Sequence, residues 1–177
     1  HAEYLKISQD AAVSIIPKNL SVVKSAAILE GAHYALNIIR AAKVRSGTEV
    51  LVYGATGAIG SAAVQLLKAK GAVVTAVCDT KNVQLVKDLG ANAVVDYQKE
   101  NLFDISTRFD FVFDTVGKIN FSKSKALLKE NGIYISTEPG KNWENAFLAM
   151  KTFFLGKKRV LFPIPNIDQK TVIYLKD

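Results

Sequence analysis

Gly54, Gly57 and Gly60 recur at three-residue intervals in VLVYGATGAIGSAAVQLLK. The apolar, β-branched run EVLVY (49–53) precedes them, and the helix-forming run SAAVQLLKAK (61–70) follows. Glycines between a strand and a helix permit a tight turn and a close approach of backbone N–H groups to a ligand. They also let the helix pack against the strand. The first N–H groups of the helix and its dipole suit an anionic group such as a pyrophosphate. The spacing is G-x-x-G-x-x-G rather than G-x-G-x-x-G, and no Lys-Ser/Thr pair follows, which speaks against nucleotide hydrolysis. Asp79 lies 19 residues beyond Gly60, at the end of a second apolar run, AVVTAVC (72–78). A carboxylate there would accept hydrogen bonds from the ribose of a dinucleotide. It favours NAD, because it would repel a 2′-phosphate. Lys81 and Tyr97 together could hold that phosphate, which favours NADP.

Other side chains read less sharply. His33 is either packed in a helix or a proton relay. Asp114, ending an apolar run, either orients a loop or ligand or caps a turn. Cys78 reads as a small core residue. Trp143, Phe147, Phe153 and Phe154 recur near helical spacing and read as core packing.

The elements that must position these residues alternate regularly. Residues 1–20 read as short extended pieces ending in a turn at 17–19. A helix follows from Ser21, a good N-cap, to Lys43. Strands are expected at 49–53, 72–78, 92–97, within 109–117, at 132–137 and at 159–165. Helices are expected at 61–70, from 81–82 to a stop at Gly90, at 122–132, at 143–156 and from Asp168 onward. Six apolar strands separated by helices predict an α/β fold, a Rossmann-type, doubly wound parallel six-stranded sheet with helices on both faces.

Composition bounds the partners. The 177 residues are 49% hydrophobic and 22% charged, ordinary globular usage for one domain with an arm. The net charge of +7 is spread along the chain. Its one tight cluster, Lys157–Arg159, reads as a solvated loop before a strand, so no nucleic-acid partner is expected. No apolar run approaches the roughly 18 residues of a membrane span, so no membrane partner is expected either. The single cysteine and the absence of a secretory signal pattern point to the cytoplasm.

The segments HAEYLKI, GTEVLVYGATGAIGSAAVQLLKAKGAVVTAVCDTKN, LGANAVVDY, FDFVFDTVGKINFSKSKALLKENGIYIST and KKRVLFPIP cover almost the whole chain. In this order they resemble the medium-chain dehydrogenase/reductase superfamily, in particular its quinone-oxidoreductase-like and zinc-type alcohol-dehydrogenase-like members. The resemblance implies that residues 1–20 are the last part of an N-terminal catalytic domain and its connection. Residues 21–177 would be the NAD(P)-binding domain, cut short at its C-terminus. It implies pyrophosphate contacts from Thr56, Gly57, Ala58 and Ile59, with Gly54 and Gly60 shaping the loop. Asp79, Lys81 and Tyr97 would surround the adenosine ribose. Val116, Gly117, Ser136 and Thr137 would lie beside the cofactor, and Phe162 and Ile164 near the nicotinamide ribose. The family often has a threonine in the helix before the first strand; His33 or Tyr34 stands there. Its NADP-using members commonly carry a small hydroxyl residue at the position of Asp79. The family's later zinc-ligand cysteine falls near Leu29 or Glu30, neither of them cysteine, so no zinc is expected.

The resemblance therefore implies a nicotinamide-cofactor-binding domain of a quinone or enone reductase, with NADPH slightly favoured over NADH. The substrate would be a quinone, enone or aldehyde, met by the longer protein, while this chain alone binds cofactor without turnover. The alternatives are a zinc-dependent alcohol dehydrogenase and a non-catalytic NADP-binding redox sensor. No catalytic residue is assigned. A homodimer through the 159–165 edge strand is expected.

Overall fold

Residues of alternating parity along the strands sort onto two faces of one sheet. The protein is represented by a computed structural model that describes residues 3–155 and 157–176. The strands are β1 (Glu49–Tyr53), β2 (Val73–Cys78), β3 (Ala93–Asp96), β4 (Phe109–Asp114), β5 (Leu128–Ser136) and β6 (Arg159–Leu161). All neighbours pair in parallel, in the order β3-β2-β1-β4-β5-β6. The direction of winding reverses between β1 and β4. In such sheets that reversal opens a crevice at the carboxyl ends of the strands.

The helices are α1 (Val22–Ala41), α2 (Ala58–Ala69), α3 (Val83–Asp88), α4 (Phe121–Ser124), α5 (Glu144–Leu155) and α6 (Gln169–Lys176). On one face Val50, Val52, Val74, Ala76, Phe111, Phe113 and Ile135 pack against Ile38 and Ile39 of α1, Val64 and Leu67 of α2 and Val86 of α3. On the other, Leu51, Val77, Val112, Tyr134 and Val160 pack with Leu102, Phe121, Leu127 and Leu148 of α5. The expected doubly wound sheet with helices on both faces is thus present, its second face covered by shorter elements. Ser21 caps α1, its hydroxyl accepting from the Lys24 N–H. The arm before α1 is fastened to α6: Gln169 exchanges two hydrogen bonds of 2.9 Å with the backbone of Val13. Among the described residues no helix is long and apolar enough to cross a membrane.

Three expectations are corrected. The helix expected at 122–132 is a single turn, α4, capped by Asn120, and the chain is already in β5 by Leu128. Leu127 and Leu128 are sealed in the second core, and Leu128 pairs with Phe109. Burying two leucines outweighs the few tenths of a kcal/mol per residue by which Ala, Leu, Lys and Glu favour helix. Gly132, read as a helix stop, lies at an irregularity in the β4–β5 register, where a Cβ would sit 3.0 Å from the Phe109 carbonyl oxygen. The strand expected at 159–165 ends at Leu161, since Pro163 and Pro165 have no N–H to give the ladder. Finally, Trp143, Phe147, Phe153 and Phe154 are exposed rather than core residues.

Candidate functional site

The glycine turn joins β1 to α2 at the reversal point of the sheet. Gly54 has φ +81°, a region that side chains rarely adopt, and a Cβ there would lie 2.7 Å from Cγ1 of Val116. A Cβ on Gly60 would overlap the Gly54 carbonyl, so α2 packs against the turn at backbone contact. Gly57 is the N-cap of α2 and offers no side-chain hydrogen bond to its first turn. The opening N–H groups of this 12-residue helix are therefore left to a ligand or solvent, beside exposed Thr56 and Ala58 and half-buried Ile59.

The loop after β4 leans on this turn. The Thr115 hydroxyl lies 2.8 Å from the Tyr53 carbonyl oxygen and 3.2 Å from that of Gly54. Asp114 is fully buried, and its carboxylate accepts from the N–H groups of Val116 (3.2 Å), Lys118 (3.3 Å) and Ile119 (3.0 Å). Of the two readings of Asp114, it is the one that shapes a loop. Gly117 has φ +65°, with Glu138 Cγ 2.9 Å from where its Cβ would be. Ser136 is buried, and its hydroxyl is committed to the Glu138 backbone, donating to the carbonyl and accepting from the N–H at 3.1 Å each.

At the ends of β2 and β3, Asp79 accepts from Asn82 Nδ2 at 2.5 Å and lies 3.7 Å from Lys81 Nζ. Lys81 and Tyr97 are exposed there. Asp96, which sequence reading missed, ties the two strand ends together by accepting from the Thr80 hydroxyl at 2.6 Å and the Gln98 N–H at 3.0 Å. The Thr80 hydrogen bond above all holds its carboxyl below the usual carboxylate range. Tyr97 borders a cleft of about 430 Å³ with Tyr53, Leu102 and Ile119. Cys78 is sealed in the first core, and burial pushes its thiol up.

A second cleft, of about 280 Å³, is walled by Tyr34, Asn37 and Ile38 of α1, Thr137 after β5, Trp143, and Phe162–Pro165 after β6. It brings together Phe162 and Ile164, expected near the nicotinamide ribose, Thr137, expected beside the cofactor, and Tyr34, one of the two residues at the family's threonine position. Asn37 closes its base by donating 2.8 Å hydrogen bonds to the carbonyl oxygens of His33 and Asn166. His33 turns to its own helix, with Nδ1 3.0 Å from the Leu29 carbonyl oxygen, so Tyr34 is the one facing the cleft. The Thr137 hydroxyl oxygen is buried without a hydrogen-bond partner among the described residues. Such orphans are few in folded proteins and cost about 1–3 kcal/mol each. Trp143, at the same cleft, holds φ +62°, unfavourable for a bulky side chain. Neither the orphan nor this strain has a signature in sequence, and the cleft around Thr137 forms only when α1 and the segments after β5 and β6 converge.

The zinc-binding dehydrogenase family matches residues 58–161, from the start of α2 to the end of β6. The 2-methylene-furan-3-one reductase of Solanum lycopersicum is 36% identical over 133 residues, covering 74% of this chain and 34% of that protein. The chloroplastic NADPH-dependent alkenal/one oxidoreductase of Arabidopsis thaliana is 31% identical over 146 residues, covering 78% and 37%. Among solved structures, the quinone oxidoreductase from Coxiella burnetii superposes with a TM-score of 0.78 at 27% identity, covering 90% of this chain and 50% of that one. The chain thus spans about a third of the length of these curated relatives. With the glycine turn, the strand order and the matched span in agreement, this chain belongs to the zinc-binding dehydrogenase family.

Proposed function

We propose that this chain is the dinucleotide-binding part of an oxidoreductase that reduces quinones or enones with NADPH. The observation that carries the reading is the unpartnered Thr137 hydroxyl, buried in an apolar cleft at the carboxyl ends of the strands. A flat ring with polar substituents fits that cleft and could satisfy the orphan. A nicotinamide nucleotide held there would supply the hydride chemistry. The chain's own residues would orient it: the α2 N-terminus and glycine turn would hold the diphosphate, and Thr137, Phe162 and Tyr34 the nicotinamide end. Asp79 is engaged by Asn82 and Lys81, and Lys81 and Tyr97 remain exposed nearby, which supports a 2′-phosphate at this corner.

The family's description names zinc, and the residues here do not fit a zinc centre. Among the described residues no three of His, Cys, Asp and Glu converge; Glu30 stands exposed on α1 and Cys78 is buried. In the same reading residues 1–20 are the last part of an N-terminal catalytic domain and its connection, and the compartment is the cytoplasm. β6 ends the sheet beside the exposed Phe147, Met150 and Phe154 of α5, which supports a homodimer across this edge. Sedimentation equilibrium is expected to return twice the chain mass, and a monomer at micromolar concentration refutes the dimer.

Titration of the chain with NADPH and NADH, followed by nucleotide fluorescence, tests the cofactor reading. Binding with NADPH preferred is expected, without reductase turnover by the chain alone. Thr137→Val removes the orphan oxygen at nearly constant shape. It is expected to raise stability by about 1 kcal/mol while weakening NADPH binding several-fold. A variant that binds as well as the parent chain refutes the assignment of Thr137, and binding of neither nucleotide refutes the reading as a whole.

A further inference from the structure

We infer that Tyr134 and Asp114 are positioning residues, a buried clamp that sets the loop after β4 in its nucleotide-receiving conformation. The inference rests on the reading of this crevice as the cofactor site and adds to it two residues that have no exposed surface to offer a ligand. Tyr134 lies on β5, opposite Val112 of β4, with its ring against Phe121. Its hydroxyl reaches both ends of the loop, 3.1 Å from Asp114 Oδ2 and 2.8 Å from the Ile119 carbonyl oxygen, so one proton serves two acceptors. Burial, and then the Asp114 charge, push the phenol above its ordinary range, so it stays protonated as the donor.

Asp114 itself is fully buried, and its charge is held by the N–H groups of Val116, Lys118 and Ile119 and by this phenol. What the clamp fixes is functional surface. Val116, 40% exposed, stands over Gly54, and Ile119 walls the cleft beside Tyr53 and Tyr97. Thr115, directly before Val116, hangs the loop on the carbonyl oxygens of Tyr53 and Gly54. The loop that meets the nucleotide is thus ordered before binding. Ordering in advance raises affinity because the entropy of fixing the loop is not lost at the moment of binding.

The test compares the parent chain with Tyr134→Phe, which keeps the ring and removes only the hydroxyl. A control, Lys129→Met, breaks the Glu49–Lys129–Asp110 ion cluster at the opposite end of the sheet. Tyr134→Phe is expected to weaken NADPH binding about fivefold, the fold-change of one net hydrogen bond. Lys129→Met is expected to lower the melting temperature without changing NADPH affinity. Failure of the parent chain to bind NADPH overturns the functional reading and this inference with it. Parent binding that Tyr134→Phe leaves unchanged, or that Lys129→Met weakens equally, overturns the clamp alone. Should Tyr134→Phe not fold, amide hydrogen exchange of the parent chain without nucleotide decides. Protected amides at Val116, Lys118 and Ile119 are expected, and exchange at the rate of open amides overturns the inference.

Discussion

The Gly60→Ala chain is expected to melt about 4–8 °C below the parent chain and to bind NADPH much more weakly. Helix propensity alone gives the opposite sign, since Gly60 lies inside α2 and alanine would gain about 1 kcal/mol there. The decision rests on space. An added Cβ would overlap the Gly54 carbonyl and stand 2.9 Å from the Ala55 Cα, both of them backbone atoms that cannot rotate away. Overpacking of this kind costs about 3 kcal/mol, about 2 kcal/mol net of the propensity gain, and a chain of this length loses about 2–4 °C per kcal/mol. Relief requires α2 to move off the turn, which also moves the N–H groups offered to the diphosphate, so stability and affinity fall together. Gly47→Ala is the matched control: φ is +78° but nothing among the described residues lies within 4 Å, so only backbone strain remains, about 1 kcal/mol. Thermal melts and NADPH titrations of both variants check this. A Gly60→Ala chain as stable as the parent shows that the close approach is absent.

The same residues show why the fold was legible in the sequence and the rest of the site was not. A parallel strand buried on both faces is apolar almost throughout, so β1 and β2 stand out as nearly continuous runs, and β4 as an aromatic-rich segment in spite of Asp110. The glycines at 54, 57 and 60 are visible because a side chain is excluded at two of the three. The segment 125–131 is different. Its residues favour helix locally, and only the pairing of Leu128 with Phe109 shows that they are needed in the sheet. The aromatic side chains of α5 fail for the converse reason, since helical spacing says which residues share a face and not whether anything covers it. Asp114 was visible as a carboxylate at a strand end, yet its partner Tyr134 looked like any strand tyrosine. The two meet only because β4 and β5 are neighbours in register.

Asp114→Ala is expected to cost more than Gly60→Ala, about 3–5 kcal/mol. The variant leaves three backbone N–H groups without their acceptor, of which that of Ile119 is buried. No lysine or arginine pairs with Asp114 among the described residues, so the N–H groups are oriented by this one carboxylate. Water can reach Val116, which is 40% exposed, and compensates there, but not at Ile119, which is 8% exposed. Asp114→Asn separates shape from charge. Its amide oxygen can still accept from Val116 and Lys118, while its NH₂ group meets the Ile119 N–H donor to donor. Tyr134 keeps its proton on the Ile119 carbonyl. About half of the alanine loss is therefore expected for asparagine. Denaturant unfolding of the three chains checks the order parent, asparagine, alanine. Asparagine equal to the parent would show that the carboxylate's second oxygen holds nothing, and the loop would then owe its shape to Thr115 and Gly117.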